Sequence, residues 1–404
     1  MTKDQATKNI RIQKRINIIS GIVFLLPVIT LLYQQVWLST FEIVLLSNIA
    51  TTVIWLFELP TSVLADTLGR KRSLLISVVC NFLSAFTLFL FPTFVWFIVA
   101  AVFAALYRSF WSGTWQAFLE ENLNILGKKK EFWKTIGDFM FWENNVKIIL
   151  PVLSWLCIKY FWDYSYTILA WLDVVFAWIL IYLTYMLYET NVPVVGSIKV
   201  FIKNNINTAR DAFASIFSNK KIKLLLFFRT FWNHISLLPL LLLPLLVEQG
   251  MPDWIWWIVL TISAIFLSFS YKISNYLAER FSYTWVWLGS VILQAFLLII
   301  IGFVWWLHWT ILAILFCVWN MWDGGRQPAR NHLLVHAWAS KAIATTRSII
   351  FAIFALRTTL WKYALSYISP FDAFFVIWAI MLCSSLIFWK YKSILSWDTS
   401  DDEL

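Results

Sequence analysis

The sequence has few charged residues for its length. Of its 404 residues, 13% are charged and 61% are hydrophobic, whereas about 25% of the residues in soluble domains are charged. So little charge cannot cover the surface of a soluble protein of this size. The composition therefore excludes a soluble globular enzyme, a disordered protein and a nucleic-acid-binding protein, and it indicates a polytopic membrane protein.

Residues for metal, nucleotide or nucleophilic chemistry are also lacking. The four cysteines lie in apolar runs without the spacing of metal ligands, and His332 and His336 have no third ligand in the sequence. There is no glycine-rich phosphate loop of an ATPase and no Ser/His/Asp or Cys/His grouping. We therefore predict no metal, no cofactor and no enzymatic activity.

Glycine is scarce as well, with 11 residues in the whole chain. Small residues allow membrane helices to approach each other closely. We therefore expect these helices to pack through Trp, Phe and Leu instead. The aromatic residues Trp115 and Trp319 lie within predicted spans and are candidates for lining a substrate cavity.

Long apolar runs make up most of the chain. Because a helix needs about 20 apolar residues to cross a bilayer, these runs predict twelve spans. Their positions are 16–38, 42–65, 73–91, 94–118, 137–158, 164–188, 222–247, 254–277, 284–306, 309–332, 343–365 and 371–390. Lys and Arg concentrate in alternate connections, and only Lys159 and Lys362 fall on the opposite side. This asymmetry predicts that both termini are cytoplasmic.

The longest polar stretch divides the chain into two halves. We predict an all-α integral membrane protein whose twelve helices form two pseudo-symmetric six-helix bundles, at 1–188 and 222–404. The cytoplasmic linker 189–221 between them has apolar residues at helical spacing, which is typical of an amphipathic helix. A short acidic tail ends the second half.

Two short segments recur at nearly the same offset in both halves. Ser62–Gly69 aligns with Asn275–Ser282, and Gly113–Gln116 aligns with Gly324–Gln327. Parallel repeats of six spans are the architecture of one large class of transporters, in which the substrate site lies between the halves.

A family resemblance rests on two segments. Residues 57–72, FELPTSVLADTLGRKR, resemble the cytoplasmic signature of the major facilitator superfamily, and residues 111–120, WSGTWQAFLE, are similar to a fourth-helix segment of its bacterial exporters. Ser62 replaces the usual glycine, Thr67 replaces the usual basic residue, and Pro151 alone remains of the fifth-helix antiporter motif. The resemblance implies a secondary transporter of a bacterial plasma membrane that works by alternating access.

The same resemblance implies a set of gating residues, which are Asp66, Gly69, Arg70, Glu120 and Arg347. Asp66 would face the N-terminal end of the eleventh span, which carries Arg347. Arg70 would pair with an acidic residue at the end of the fourth span, either Glu120 or Glu121. In the alternative interpretation, the basic residues that follow Gly69 only fix the topology.

Charged residues within spans are costly and usually face a cavity or a partner. The candidates for proton coupling or a substrate cavity are Arg108, Glu143, Lys147, Asp173, Arg229, Asp323 and Arg357. Asp173 is the first choice for a proton-carrying carboxylate, and the alternative is a permanently paired structural residue. Glu143 and Lys147 are four residues apart on one helical face, so they are also candidates for a structural ion pair. The surplus of positive charge favours an anionic or zwitterionic substrate.

Three functions are compatible with these residues. The predicted one is proton-coupled export of an amphipathic or drug-like small molecule. Uptake or exchange of an organic anion, amino acid or peptide is an alternative, and a non-transporting membrane sensor or assembly protein on the same fold is another. The expected partners are a small-molecule substrate, a proton and the lipid bilayer, with no nucleic acid, and the protein is expected to be a monomer.

Overall fold

The protein is all-helical wherever the computed structural model describes it. The described residues are 1–29, 33, 36, 38, 40–190, 224, 250–304, 310–319 and 370–395, and no strand occurs among them. Contacts divide the chain into two compact units, with the described residues up to 190 in the first and those from 224 onwards in the second. The predicted all-α class is confirmed. The twelve helices, the two bundles and the linker 189–221 stay predictions.

The described part of the first unit is built from seven α-helices. They are α1 Lys3–Ser20, α2 Thr40–Leu68, α3 Arg70–Leu90, α4 Phe94–Ser112, α5 Thr114–Ile125, α6 Phe132–Tyr160 and α7 Ser165–Tyr185. Short 3-10 turns precede α6 and α7. A capping box starts α1, because the Thr2 side chain accepts the Gln5 N–H while the Gln5 side chain accepts the Thr2 N–H.

Three segments of the described chain are long and apolar enough to cross a membrane, namely Arg70–Leu90, Phe94–Ile125 and Trp162–Tyr185. They correspond to the third, fourth and sixth predicted spans. Along α7, Trp171 and Trp178 are 52% and 58% exposed, while Asp173 and Ala177 are buried. Large aromatic side chains on one outer face are typical of a surface in contact with lipid or another protein.

The first predicted span differs from the structure. The prediction was one helix over 16–38, but α1 ends at Ser20 and residues 21–28 form turns and bends. The backbone N–H groups of Phe24 and Leu25, which a continuing helix would direct at its preceding turn, donate to the carboxylate of Asp173 instead. A Cβ atom at Gly21 would lie 2.8 Å from the backbone oxygen of Glu143, so glycine lets the end of α1 approach α6.

The interior of the first unit combines an aromatic and aliphatic cluster with serine contacts. The cluster is contributed by α1, α3, α5, α6 and α7 and includes Trp115 and Phe118. Between α3 and α4, Ser77 donates to the carbonyl of Tyr107 at 2.8 Å and Ser84 donates to that of Ala100 at 2.9 Å. Small residues thus form the α3–α4 contact, which differs from the expectation of packing through large side chains alone.

The described part of the second unit contains α8 Asp253–Val304, α9 Pro370–Leu395 and a helical stretch, Thr310–Trp319. Helix α8 has 52 residues and runs without interruption through two predicted spans, 254–277 and 284–306. The predicted connection between these spans contains Arg280 but neither glycine nor proline, so nothing in its sequence breaks the helix. The ring of Trp287 on α8 packs edge-on against Phe388 on α9 at 5.7 Å.

Candidate functional site

The signature loop, defined as residues 66–72, makes a tight turn between α2 and α3. Asp66 lies in the last turn of α2, and Gly69 is the one residue between the two helices. Gly69 has φ +96° and ψ 150°, a region that is essentially restricted to glycine. A Cβ atom there would lie 2.6 Å from Glu189 Oε2. The predicted importance of Gly69 therefore has two steric causes.

Glu189 caps the N-terminal end of α3, although it lies 118 residues further along the chain than Lys71. It follows α7, and its Oε1 accepts the backbone N–H of Lys71 at 3.2 Å. A carboxylate at this position interacts favourably with the unpaired N–H groups and the positive end of the helix dipole. Glu189 was not among the predicted site residues. Its only local signal is that it is the first acidic residue after the sixth predicted span.

The expected ion pair of Arg70 forms with Glu121. Arg70 Nε lies 3.4 Å from Glu121 Oε1, and both side chains are partly exposed. Glu120 instead approaches Lys129, at 3.9 Å. The hydroxyl of Thr190 donates to the other oxygen of Glu121, so the chain after α7 contacts both α3 and α5. Of the two acidic residues considered, the structure assigns the pairing to Glu121 and not to Glu120.

Asp173 on α7 binds the irregular backbone that follows α1. Its two carboxylate oxygens accept the N–H groups of Phe24 and Leu25, at 2.7 and 3.1 Å. Ser154 on α6 donates to the carbonyl of Phe24 at 2.8 Å. Both Asp173 oxygens are therefore engaged by backbone donors, and no ion pair to Arg108 or Lys147 occurs in the described part.

Glu143 and Lys147 on α6 form the ion pair that their spacing predicted. The distance from Lys147 Nζ to Glu143 Oε1 is 2.6 Å. Because each charge has its partner one helical turn away, the pair is satisfied locally.

Arg108 has no ion pair or hydrogen bond among the described residues, and its side chain is exposed. On α4 it shares one face with Ala101, Ala104 and Ser112, at spacings of seven, four and four residues. The side chains of Ala101 and Ala104 are small, and the strongly exposed Val95 lies on another side of the helix.

Glu58 on α2 is a buried carboxylate that was not among the predicted candidates. Its side chain is 1% exposed, and Ser112 on α4 donates to its Oε1. One turn further along α2, the hydroxyl of Thr61 donates to the carbonyl of Ser109 on α4 at 3.0 Å, so both hydrogen bonds join α2 to α4. The signal in the sequence was a carboxylate between apolar residues next to Pro60, inside a segment that was interpreted as a family motif.

Four of the predicted site residues lie outside the described residues. They are Arg229, Asp323, Arg347 and Arg357. For Asp66, only the backbone position is described. The described part thus joins Gly69, Arg70 and Glu121 at the signature loop, and it separates this group from Asp173 and the Glu143–Lys147 pair.

Three solved structures have a similar fold over nearly the whole chain, and each match covers 96% of this chain and 99% of the other. The human organic anion transporter MFSD10 has a TM-score of 0.70 at 12% identity. The nucleoside transporter NupG has a TM-score of 0.69 at 12% identity. A bacterial homologue of the iron transporter ferroportin, in an outward-facing state, has a TM-score of 0.68 at 14% identity.

No protein-family model and no curated protein sequence matches the chain. At such low identity, likeness to solved structures establishes the fold and not the substrate. The chain shares its fold with these three transporters over nearly its whole length. All three compared proteins are transporters.

Proposed function

We propose that this protein is a secondary active transporter that works by alternating access. The observation that carries the proposal is the transporter fold, shared over 96% of the chain, together with a signature loop in which Arg70 pairs with Glu121. The resemblance of residues 57–72 to bacterial exporters favours proton-coupled export of an amphipathic or drug-like molecule across the plasma membrane.

In this proposal the signature loop is the gate. The Arg70–Glu121 pair links α3 to α5, and Glu189 links α3 to the segment after α7. These contacts hold one side of the transporter closed, and they break when that side opens. Asp66 and Arg347 complete the gate from the end of α2 and from the eleventh predicted span.

The test is the accumulation of a panel of lipophilic fluorescent dyes in cells that express the wild type or Asp66→Asn at matched levels. Each strain is measured with and without a protonophore. Asp163→Asn is the matched control, because Asp163 carries the same side chain on an exposed turn. We expect less dye to accumulate with the wild type and with Asp163→Asn than with Asp66→Asn. This difference should disappear when the protonophore is added.

Equal accumulation in all strains contradicts broad dye export. If polar solutes are also left unmoved, and Asp66→Asn and Asp173→Asn fold normally without any phenotype, a non-transporting sensor or assembly protein takes the place of the transporter.

Arg108 favours a second candidate, transport of an organic anion or zwitterion. An unpaired guanidinium beside small residues suits a carboxylate or sulfonate group, to which arginine donates two parallel hydrogen bonds. The test compares a fluorescent organic anion with a lipophilic cation of similar size in Arg108→Gln and Arg108→Lys. We expect Arg108→Gln to lose anion transport at least tenfold and Arg108→Lys to retain part of it. Equal effects on both dyes contradict anion recognition by Arg108.

A further inference from the structure

Glu58 lies deep within α2 and away from the signature loop. It precedes the end of α2 at Leu68 by ten residues, which corresponds to about 15 Å along a helix. Its side chain is 1% exposed. A carboxyl group at such a position is costly and requires either partners or a proton.

The two oxygens of Glu58 have different surroundings. Oε1 accepts the hydroxyl of Ser112, whereas Oε2 has no hydrogen-bond partner within the described residues. The ionisable residues on the helices that pack against this part of α2 are Tyr107 and Arg108 on α4 and Cys80 on α3, together with Arg70, Lys71 and Arg72 at the start of α3. None of them forms an ion pair or hydrogen bond with Glu58 in the described part.

These surroundings favour a proton on Glu58. A buried ionised oxygen without a donor loses its entire hydration, and the cost exceeds that of a single unsatisfied hydroxyl donor. We propose that Glu58 is a proton-binding site, which carries its proton while it contacts Ser112 and releases it when water reaches this contact. This site differs from Asp173, whose two oxygens are already bound by backbone N–H groups.

The position of Ser112 relates proton binding at Glu58 to a conformational change between α2 and α4. Ser112 is the last residue of α4, and Gly113 separates α4 from α5 within the apolar segment Phe94–Ile125. The Glu58–Ser112 hydrogen bond therefore ties α2 to the junction between α4 and α5. After deprotonation, the free carboxylate needs water or further donors, so the tight contact at this junction opens. Only this coupling step rests on the proposed transport function.

Protonation of Glu58 can be tested without any substrate. Infrared difference spectra are recorded on the purified full-length protein in lipid nanodiscs while the buffer changes from mildly acidic to mildly alkaline. A neutral carboxylic acid has a carbonyl stretching band that a carboxylate lacks. We expect this band in the wild type at acidic pH, its loss on the alkaline side, and its absence at all pH values from Glu58→Gln.

Three variants assign the band. Ser112→Ala should retain it at higher wavenumber, because the carbonyl oxygen loses its hydrogen bond. Asp163→Asn, at an exposed turn, should leave it unchanged. A band that persists in Glu58→Gln, or that disappears instead in Asp173→Asn, overturns the proposal. If Glu58→Gln does not fold, a band that stays unmoved in Ser112→Ala overturns it.

A transport arm separates this site from the proposed function. A titrating Glu58 band in a protein that moves no solute supports the proton site and contradicts the transporter. Transport that the protonophore abolishes, in a protein whose Glu58→Gln variant keeps both the band and the transport, supports the transporter and overturns the proton site.

Discussion

The carboxylate of Asp173 accepts a hydrogen bond from the backbone N–H of Phe24 at 2.7 Å, across 149 residues of sequence. The N–H of Leu25 binds its other oxygen, and Ser154 donates to the carbonyl of Phe24. A break in a helix within a bilayer leaves backbone groups that lipid cannot satisfy, so the protein itself must supply their partners. Asp173 therefore stabilises the turn between α1 and the chain that follows it.

Asp173→Asn should destabilise the fold. An amide has one acceptor oxygen, and its NH2 group would face a backbone donor. We expect the loss of one charge-assisted hydrogen bond, worth about 1.5–3 kcal/mol, and a lower midpoint of thermal unfolding. Tryptophan fluorescence of the purified protein in detergent measures this midpoint.

Asp163→Asn is the control for this measurement, because it removes the same charge from an exposed position. An Asp173→Asn variant with unchanged stability and abolished proton-dependent transport would contradict the structural role. It would restore the interpretation of Asp173 as the proton carrier.

The pair Arg70–Glu121 should behave as a unit in transport. We expect Arg70→Ala and Glu121→Gln to reduce transport by similar factors, and the double variant to be no worse than either single one. Exchange of the two charges in Arg70→Glu with Glu121→Arg should restore part of the activity. The stability of the fold should change by about 1 kcal/mol or less, since partly exposed ion pairs contribute little.

The weaker contact between Lys129 and Glu120 provides the comparison for that cycle. Its atoms are 3.9 Å apart and Lys129 is 71% exposed. We expect Lys129→Ala to leave transport within twofold of the wild type. Additive losses in the Arg70–Glu121 double variant, measured at matched expression, would contradict a gate formed by these two side chains.

Features with a local cause could be predicted from the sequence. The apolar helices α3, α4 and α7 followed from the composition of continuous segments. The Glu143–Lys147 pair followed from a spacing of four residues on one helix. Arg70 required only a motif and a choice between two neighbouring acidic residues, one of which is its partner.

Features that depend on distant contacts could not be predicted in this way. Glu189 reaches Lys71 across 118 residues, and Glu58 reaches Ser112 across 54. Neither spacing has a period that identifies the contact. The irregular turn after α1 was hidden for a related reason: hydropathy reports the apolar character of 16–38 but not the backbone donors that Asp173 accepts.

Gly69→Ala should impair both stability and transport. The backbone conformation at Gly69 costs a residue with a Cβ atom on the order of 1–3 kcal/mol, and the new methyl group would also displace Glu189 from the N-terminus of α3. We therefore expect a lower unfolding midpoint and a loss of transport of at least tenfold, from thermal unfolding and dye accumulation in the same preparation.

Two other glycines serve as controls that distinguish backbone strain from the clash with Glu189 as the cause of that loss. Gly127 has φ +73°, and no atom lies within 4 Å of the position that a methyl group would take, so Gly127→Ala carries conformational strain without a clash. Gly289 is helical and faces open space, and Gly289→Ala should be neutral or slightly stabilising. Equal effects of Gly69→Ala and Gly127→Ala on transport would show that the contact with Glu189 is unimportant.

Asn9 on α1 should be a strong determinant of stability in the first unit. Its amide donates to Asn122 at 2.9 Å and to the carbonyl of Tyr188 at 3.0 Å, and it accepts the Tyr188 N–H at 2.8 Å. Asn9→Leu leaves these buried groups without partners, at a cost of about 1–3 kcal/mol for each unsatisfied group. We expect the unfolding midpoint to fall well below that of Thr7→Ala, whose hydroxyl bonds only within α1.

The interaction between Asn9 and Asn122 can be isolated with a double variant. When both amides are replaced by leucine, neither side chain leaves the other unsatisfied, so Asn9→Leu with Asn122→Leu should cost less than the sum of the single variants. The difference should be about 1 kcal/mol, measured as unfolding midpoints in one detergent. Strictly additive losses would mean that Asn9 stabilises the fold through Tyr188 alone, by tying the chain after α7 to α1.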